Sequence, residues 1–337
     1  MKRIIACLVA VLMLTIFTPV VIAANMDFTG EISSEIEYEE ENLSGNSEME
    51  LTANLGNDLK AGIRFDNQKQ TFPWVPTNLS INNLWLETEG ALFPGTPEFI
   101  TRIGGMDVNY SDYIANEIKT TGISMDQLNI GPVTLGGYYS WDQDSNLDRG
   151  AYLKVQPVEG VEAQGTLVKA DEQLSYAVET KVTPLEDVEV SGTFAAIDQG
   201  EQAYRVDGKY QLMEEVELRA GYQNIPEGFA PAHMNTDDLD QGQGFAVGAT
   251  AEKFGFKVTG DYADYSKTVD YSVARTLNLA GMDFDTKLEG NFNVETTSVD
   301  ELEASVGYEA PNGLNLTAGY DFINNQPNVS AGLNLEF

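Results

Sequence analysis

One cysteine, one histidine and few basic residues stand in the whole chain. Cys7 is the only thiol among 337 residues and lies in the first apolar stretch. With that stretch removed on export, no disulfide framework and no thiolate chemistry remain. His233 is the only imidazole, so no cysteine–histidine spacing for a structural zinc exists. Lys plus Arg total 19 against 53 Asp plus Glu, a formal net charge of −34. Such a polyanion repels phosphate backbones, which excludes nucleic acid as a partner. After Ala24 there is no run of about 18 apolar residues, so no transmembrane helix is expected. Glycine-rich phosphate cradles and nucleophile elbows are also missing, and no cofactor or metal is expected.

What the chain does have begins with a leader. Met1-Lys2-Arg3 is basic, Ile4 to Ala24 is almost wholly apolar, and Val21-Ile22-Ala23 and Ile22-Ala23-Ala24 offer small-residue cleavage sites. Residues 1–24 are therefore expected to be a secretory signal peptide, and 25–337 a single domain. Ile4-Ile5-Ala6-Cys7 matches a lipoprotein box only superficially, because no apolar stretch precedes the cysteine.

Beyond the leader the dominant signal is a period of two. At the end of the chain Val329, Ala331, Leu333, Leu335 and Phe337 share one face, and Asn328, Ser330, Gly332, Asn334 and Glu336 the other. That is a β-strand with one apolar and one polar side. Phe28-Gly30-Ile32, Leu174-Tyr176-Val178-Thr180-Val182 and Leu314-Leu316-Ala318-Tyr320-Phe322 repeat the pattern, with turns such as Asn312-Gly313 between runs. Gly, Ala, Val and Leu fill the strand middles, while Tyr38, Trp141, Tyr222, Tyr262, Tyr308, Phe322 and Phe337 sit at strand ends. A soluble core would place its largest residues mid-strand; aromatics at both ends suit the two interfaces of a bilayer. Connections alternate between short turns and longer loops, the longest at 66–78, 106–117 and 224–241. The expected fold is all-β: a closed antiparallel transmembrane β-barrel of 16–20 strands, twenty being the best count.

The segment Asn328 to Phe337 resembles the C-terminal strand signature of bacterial outer-membrane proteins. The resemblance implies that Leu333, Leu335 and Phe337 form the assembly signal read by the barrel-assembly machinery. Over the mature sequence the chain resembles a bacterial porin, its particular family open. Arg102 to Tyr110 is loosely similar to a basic, glycine and tyrosine segment of several porin families, without their Gly-Arg-Gln order. This resemblance implies an outer-membrane location, a passive channel for small hydrophilic solutes rather than an enzyme, and homo-trimers, with outer-membrane lipid around them.

The polar faces then line a wet lumen. They carry Glu31, Glu35, Glu37, Glu48, Glu50, Glu162, Glu179, Glu189, Glu217, Glu303 and Glu309, with Lys60, Arg64, Arg102, Lys154, Lys181, Arg205 and Arg219. The carboxylate majority predicts a preference for cations, although acidity also suits a salt-rich habitat. Arg275 departs from the pattern by sharing the face of Val273 and Leu277. A constriction is expected where Arg64 and Arg102 oppose Asp66, Asp107, Asp112 and Glu117 near two long loops. Two other functions stay open: a structural or adhesive barrel with a closed lumen, and a rim hydrolase using His233 near Asp237, Asp238 and Asp240. The acidic loop around His233 also offers hard oxygen ligands for a divalent cation.

Overall fold

Alternation along the chain becomes a single sheet closed on itself. A computed structural model describes residues 27–336 apart from 40–41, 57, 72–79, 92–96, 117, 142–147, 171, 233–238 and 280. The expected leader, Glu117, His233, Asp237, Asp238 and Phe337 lie outside the described residues.

The first six strands are β1 (Asp27–Glu39), β2 (Asn42–Gly56), β3 (Leu59–Thr71), β4 (Ser80–Gly90), β5 (Phe99–Val108) and β6 (Ile118–Ile130). Then come β7 (Val133–Ser140), β8 (Arg149–Val158), β9 (Val161–Ala170), β10 (Gln173–Leu185), β11 (Val188–Ile197), β12 (Gln202–Met213) and β13 (Val216–Ile225). The last are β14 (Gly242–Lys253), β15 (Phe256–Ala263), β16 (Thr268–Leu279), β17 (Met282–Asn293), β18 (Ser298–Glu309), β19 (Leu314–Asp321) and β20 (Gln326–Glu336). Consecutive strands pair antiparallel, and β1 pairs with β20 from Glu31↔Glu336 to Tyr38↔Val329. That seam closes a barrel of 20 strands, the count expected from the alternation. Closure leaves no sheet edge at the join, as a lipid-embedded sheet requires.

The registers hold apolar residues of neighbouring strands on one side. Tyr222 lies opposite Phe245, Val247 opposite Tyr262, and Val258 opposite Val273. Val247 and Val258 are each 46% exposed, so this side faces outward. A continuous outward apolar band is a surface made for lipid. Aromatic rings meet across strands near the rims, with Tyr204 and Tyr222 stacked at 6.2 Å and Phe284 and Tyr308 at 5.3 Å between centroids. Arg275 also points outward, opposite Phe256, and its guanidinium lies 4.5 Å from that ring centroid. Phe256 follows the turn at 254–255, so Arg275 stands at the rim, where a cation can stack and snorkel toward water.

Five strands carry a register shift just before the short-turn rim: between Asn54 and Gly56, Met125 and Leu128, Val155 and Val158, Val182 and Leu185, and Gln211 and Met213. Pro157 and Pro184 sit inside two of these shifts. Proline cannot donate a ladder hydrogen bond, and a bulge is where a sheet tolerates it. The extra residue also keeps Val158 and Leu185 on the outer surface, at 62% and 67% exposure.

The two faces should respond differently to charge. Val247→Arg is expected to destabilise the barrel by about 2–4 kcal/mol in phospholipid vesicles. Ser272→Arg, on the lumen face of β16, should cost less than about 1 kcal/mol. Denaturant-induced unfolding from vesicles measures both; equal costs would contradict the outward face being the lipid face.

Candidate functional site

The wall is not followed to its top by β5 and β6. β4 and β5 stay in register from Gly90↔Phe99 only to Trp85↔Gly104. β6 and β7 stay in register up to Gly122↔Ser140, with one further bond from the Trp141 amide to the Thr121 carbonyl at 3.0 Å. β5 and β6 remain paired with each other as far as Val108↔Ile118. This hairpin end therefore leaves its neighbours and turns into the lumen.

Both departure points are glycines, for a steric reason. Gly104 has φ +109°, and a Cβ there would lie 2.0 Å from the Leu84 carbonyl oxygen. A Cβ at Gly122 would lie 2.2 Å from the Tyr139 carbonyl oxygen. No side chain fits either place while the hairpin bends inward.

The hairpin tip has an apolar seat. Tyr110, Tyr113, Ile114 and Ala115 are buried against Val168 and Ala170 of β9, Ala177 of β10, Ala195 and Ile197 of β11, Ala203 of β12 and Ile225 of β13. These wall residues all stand at the long-loop ends of their strands. Phe229, from the loop after β13, is fully buried in the same cluster. Polar contacts fix the tip in register. The Tyr110 carbonyl accepts from Gln164 Nε2 at 2.5 Å and from Thr166 Oγ1 at 3.0 Å. Ser111 Oγ donates to Glu179 at 2.9 Å, and the Tyr110 hydroxyl donates to Asp126 at 2.7 Å. Burial, reinforced by the Asp126 carboxylate, holds the Tyr110 hydroxyl well above its ordinary pKa. Burial pushes Tyr113 up to about 12. Both phenols stay protonated near neutral pH, and Tyr110 serves as the donor to Asp126.

Charge lines what remains of the lumen. Arg64 Nε lies 2.8 Å from Glu48, Nη2 3.0 Å from Glu50, and Nη1 2.8 Å from Asp107 on the hairpin. Arg102 lies over Trp85 at 4.2 Å from the ring centroid, donates to the Gly105 carbonyl at 2.7 Å and approaches Glu87 at 3.8 Å. Trp85 finds room because Gly62 opposite has no side chain; a Cβ there would lie 2.2 Å from the indole. The other bases expected on the lumen faces are paired too: Lys60 with Glu87 at 3.7 Å, Lys154 with Glu162 at 2.6 Å and Lys181 with Glu189 at 2.7 Å. Arg205 meets Asp207 at 2.7 Å, and Arg219 meets both Glu217 and Asp261 at 2.9 Å.

Of the residues expected at a constriction, the fold brings Arg64 and Asp107 into direct contact. Arg102 stands near them but bonds to the hinge and to Glu87. Asp112 lines a cavity of about 630 Å³ with Glu179, Lys181 and Arg205. A second cavity of about 660 Å³ takes Asp107, Arg102, Asp126 and Lys154. Both touch Asn109, Tyr110 and Gln164, so they flank the place where the tip meets the wall. Glu117 and the Asp66 side chain lie outside the described residues. The apolar seat went unrecognised in the sequence. Its signal was there: Val168, Ala170, Ala195 and Ile197 interrupt otherwise polar faces.

No protein-family model matches this chain, and no curated protein matches it in sequence. In shape it is similar to the crystal structure of Pseudomonas aeruginosa OccK3 (OpdO), with TM-score 0.54 at 10% identity over 93% of this chain and 96% of that one. Acinetobacter baumannii OccAB4 gives 0.52 at 9% identity over 92% and 98%, and Pseudomonas aeruginosa OprD 0.51 at 6% over 93% and 95%. The fold is that of a porin-type barrel. At these identities the likeness extends to architecture and not to solutes.

In this porin-type barrel the hinge makes a sharp test. Gly104→Val combines a strained backbone, worth about 1–3 kcal/mol, with a collision against Leu84. It should lower the unfolding midpoint and expose the hairpin to protease. Gly165→Ala in mid-β9, where nothing lies within 4 Å of the added carbon, should be near neutral. Matching behaviour of the two variants would contradict the hinge assignment.

Proposed function

We propose that this chain is a passive diffusion channel of the outer membrane, for small hydrophilic solutes, preferring cations and narrowed by the β5–β6 hairpin. The observation that carries the preference is an imbalance of charge around the wall. The seven basic residues expected in the lumen each have a carboxylate within 3.8 Å, which neutralises them locally. Beyond the carboxylates on those seven bases, the arc from β15 through β20 to β2 adds Glu31, Glu35, Asp270, Asp285, Glu289 and Glu303 at lumen positions. Against these it offers the lysines Lys257 and Lys287. A wall of net negative potential lowers the energy of an entering cation and raises that of an anion. The porin-type barrel fold and the two polar cavities beside the hairpin support passage of solutes. At the base of the hairpin, Arg64 among three carboxylates contributes less positive field than a bare arginine would.

One observation favours a different reading, a barrel closed by its own loops. Phe229 and Ile114 are at most 1% exposed, so two loops occupy part of the lumen. Planar-bilayer recording separates the two readings: stable open steps support the channel, and a folded but silent barrel supports the closed one. The rim hydrolase rests on His233 and would show as hydrolytic activity lost on His233→Ala.

Reversal potentials in a salt gradient should show cation preference, weakening as the Debye length falls from about 10 Å at 0.1 M to about 3 Å at 1 M. Arg64→Gln leaves Glu48, Glu50 and Asp107 uncompensated. It should raise the cation-to-anion permeability ratio about two- to threefold, which corresponds to under ~1 kcal/mol. Anion preference at low salt would overturn the proposal.

A further inference from the structure

Two cations stand together on the outer surface at the short-turn rim, with no acid to balance them. Lys253 closes β14 on the outward side, in line with Val247 and Ala251, and pairs in register with Phe256. Arg275 lies opposite Phe256 on the next strand. Each cation leans on a ring: Arg275 at 4.5 Å from the Phe256 centroid, and Lys253 at 5.6 Å from that of Phe254. Both side chains are exposed, and among the described residues neither meets a carboxylate. With 53 acids to 19 bases in the chain, acids were plentiful, and every base expected in the lumen has one. This rim does without.

A second, independent feature marks the same turn. Phe254 has φ +55° and Gly255 φ +76°, the left-handed pair that a two-residue hairpin turn of the primed type requires. Asn, Asp and Gly suit the first of these places, and a bulky aromatic is strained there. All the other described non-glycine residues with left-handed φ are polar, Asp58, Gln127 and Asn325 among them. Phe254 is also 84% exposed, more than any other large apolar side chain described. A strained position that holds a bare aromatic points to a contact made outside the chain.

We infer that the β14–β15 turn is a binding site for the phosphate of an anionic phospholipid, with Lys253 and Arg275 pairing to the headgroup and the Phe254 ring lying in the bilayer interface. Basic residues at the edge of a bilayer attract anionic headgroups, and aromatic rings seat at the same level. The Arg275 guanidinium sets its face on Phe256 and leaves its N–H edge for two phosphate oxygens. Ala251, Val258 and Val273 carry the outward apolar band up to the turn, so acyl chains reach the foot of the site. This rests on the porin-type barrel and its lipid-facing outer side, not on conduction: a silent barrel would still hold the lipid, and an open one could lack it.

The folded barrel, purified in mild detergent, is incubated with equimolar phosphatidylglycerol and phosphatidylcholine of the same chain length, and retained lipid is counted by native mass spectrometry. The unmodified protein should retain phosphatidylglycerol preferentially. Lys253→Gln and Arg275→Gln should each cut that preference about fivefold. Lys257→Gln, which removes the same charge from the lumen side of the same turn, should leave it unchanged. Phe254→Asn suits the turn, so it should raise the unfolding midpoint in detergent while weakening lipid retention. Inorganic phosphate at the lipid's concentration should not displace it. Displacement would assign the site to a free anion, and equal retention of the two lipids would leave the rim to a protein partner. Either result, undiminished retention by Lys253→Gln and Arg275→Gln, or an equal loss in Lys257→Gln would overturn the inference.

Discussion

In the hydrocarbon of a bilayer an unpaired backbone amide has no water to turn to, and each such group costs several kcal/mol. The β1–β20 seam answers that constraint, since it gives the first and last strands partners in each other. The rest of the architecture depends on it. A closed sheet fixes an inside and an outside, and period-two alternation then assigns every residue to one of them. Val247, Val258 and their neighbours go to lipid, and Lys154, Glu162, Lys181 and Glu189 go to water. Charges that would be prohibitive on one face are ordinary on the other.

The hairpin is where the chain departs from a simple cylinder, and its energetics show how. Turning β5 and β6 inward forfeits ladder bonds to β4 and requires glycine at two positions. Burying Tyr110, Tyr113 and Ile114 returns about 1.5–3 kcal/mol for each fully buried apolar side chain. The Tyr110 carbonyl and hydroxyl and the Ser111 hydroxyl all find partners on the wall, so the tip buries few polar atoms unsatisfied. Because apolar packing and hydrogen bonding act at the same place, the tip has one position rather than many. Arg64 and Arg102 brace its base, one through Asp107 and the other through the Gly105 carbonyl.

Much of this was legible in the residues because a strand writes its two faces directly into sequence. The closed all-β barrel, its twenty strands and the pairing of short turns with one rim follow from alternation and turn residues such as Asn312-Gly313. Arg275 broke the alternation and has its reason in the ring of Phe256, a contact between strands that one strand's pattern does not contain. The hairpin was harder to read. Gly104-Gly105 looks like a strand end, and Tyr110, Tyr113 and Ile114 look like loop residues until their partners on five other strands are known. Arg64 and Asp107 were expected on opposite sides of a gap and stand 2.8 Å apart. Alternation gives the side of a wall and not the distance across it.

The β5–β6 tip rests against the β9–β13 side of the lumen wall, with Ser111 beside Glu179. The most direct measurement replaces both with cysteine in a background with Cys7→Ala, and bridges them with a short bifunctional thiol reagent. Single-channel conductance is recorded before and after. An efficient bridge within one chain and an unchanged conductance are expected, because the tip is already where the bridge would hold it. Failure to bridge, or a bridge that sharply lowers the conductance, would contradict that placement by showing that the hairpin had to be pulled into the lumen.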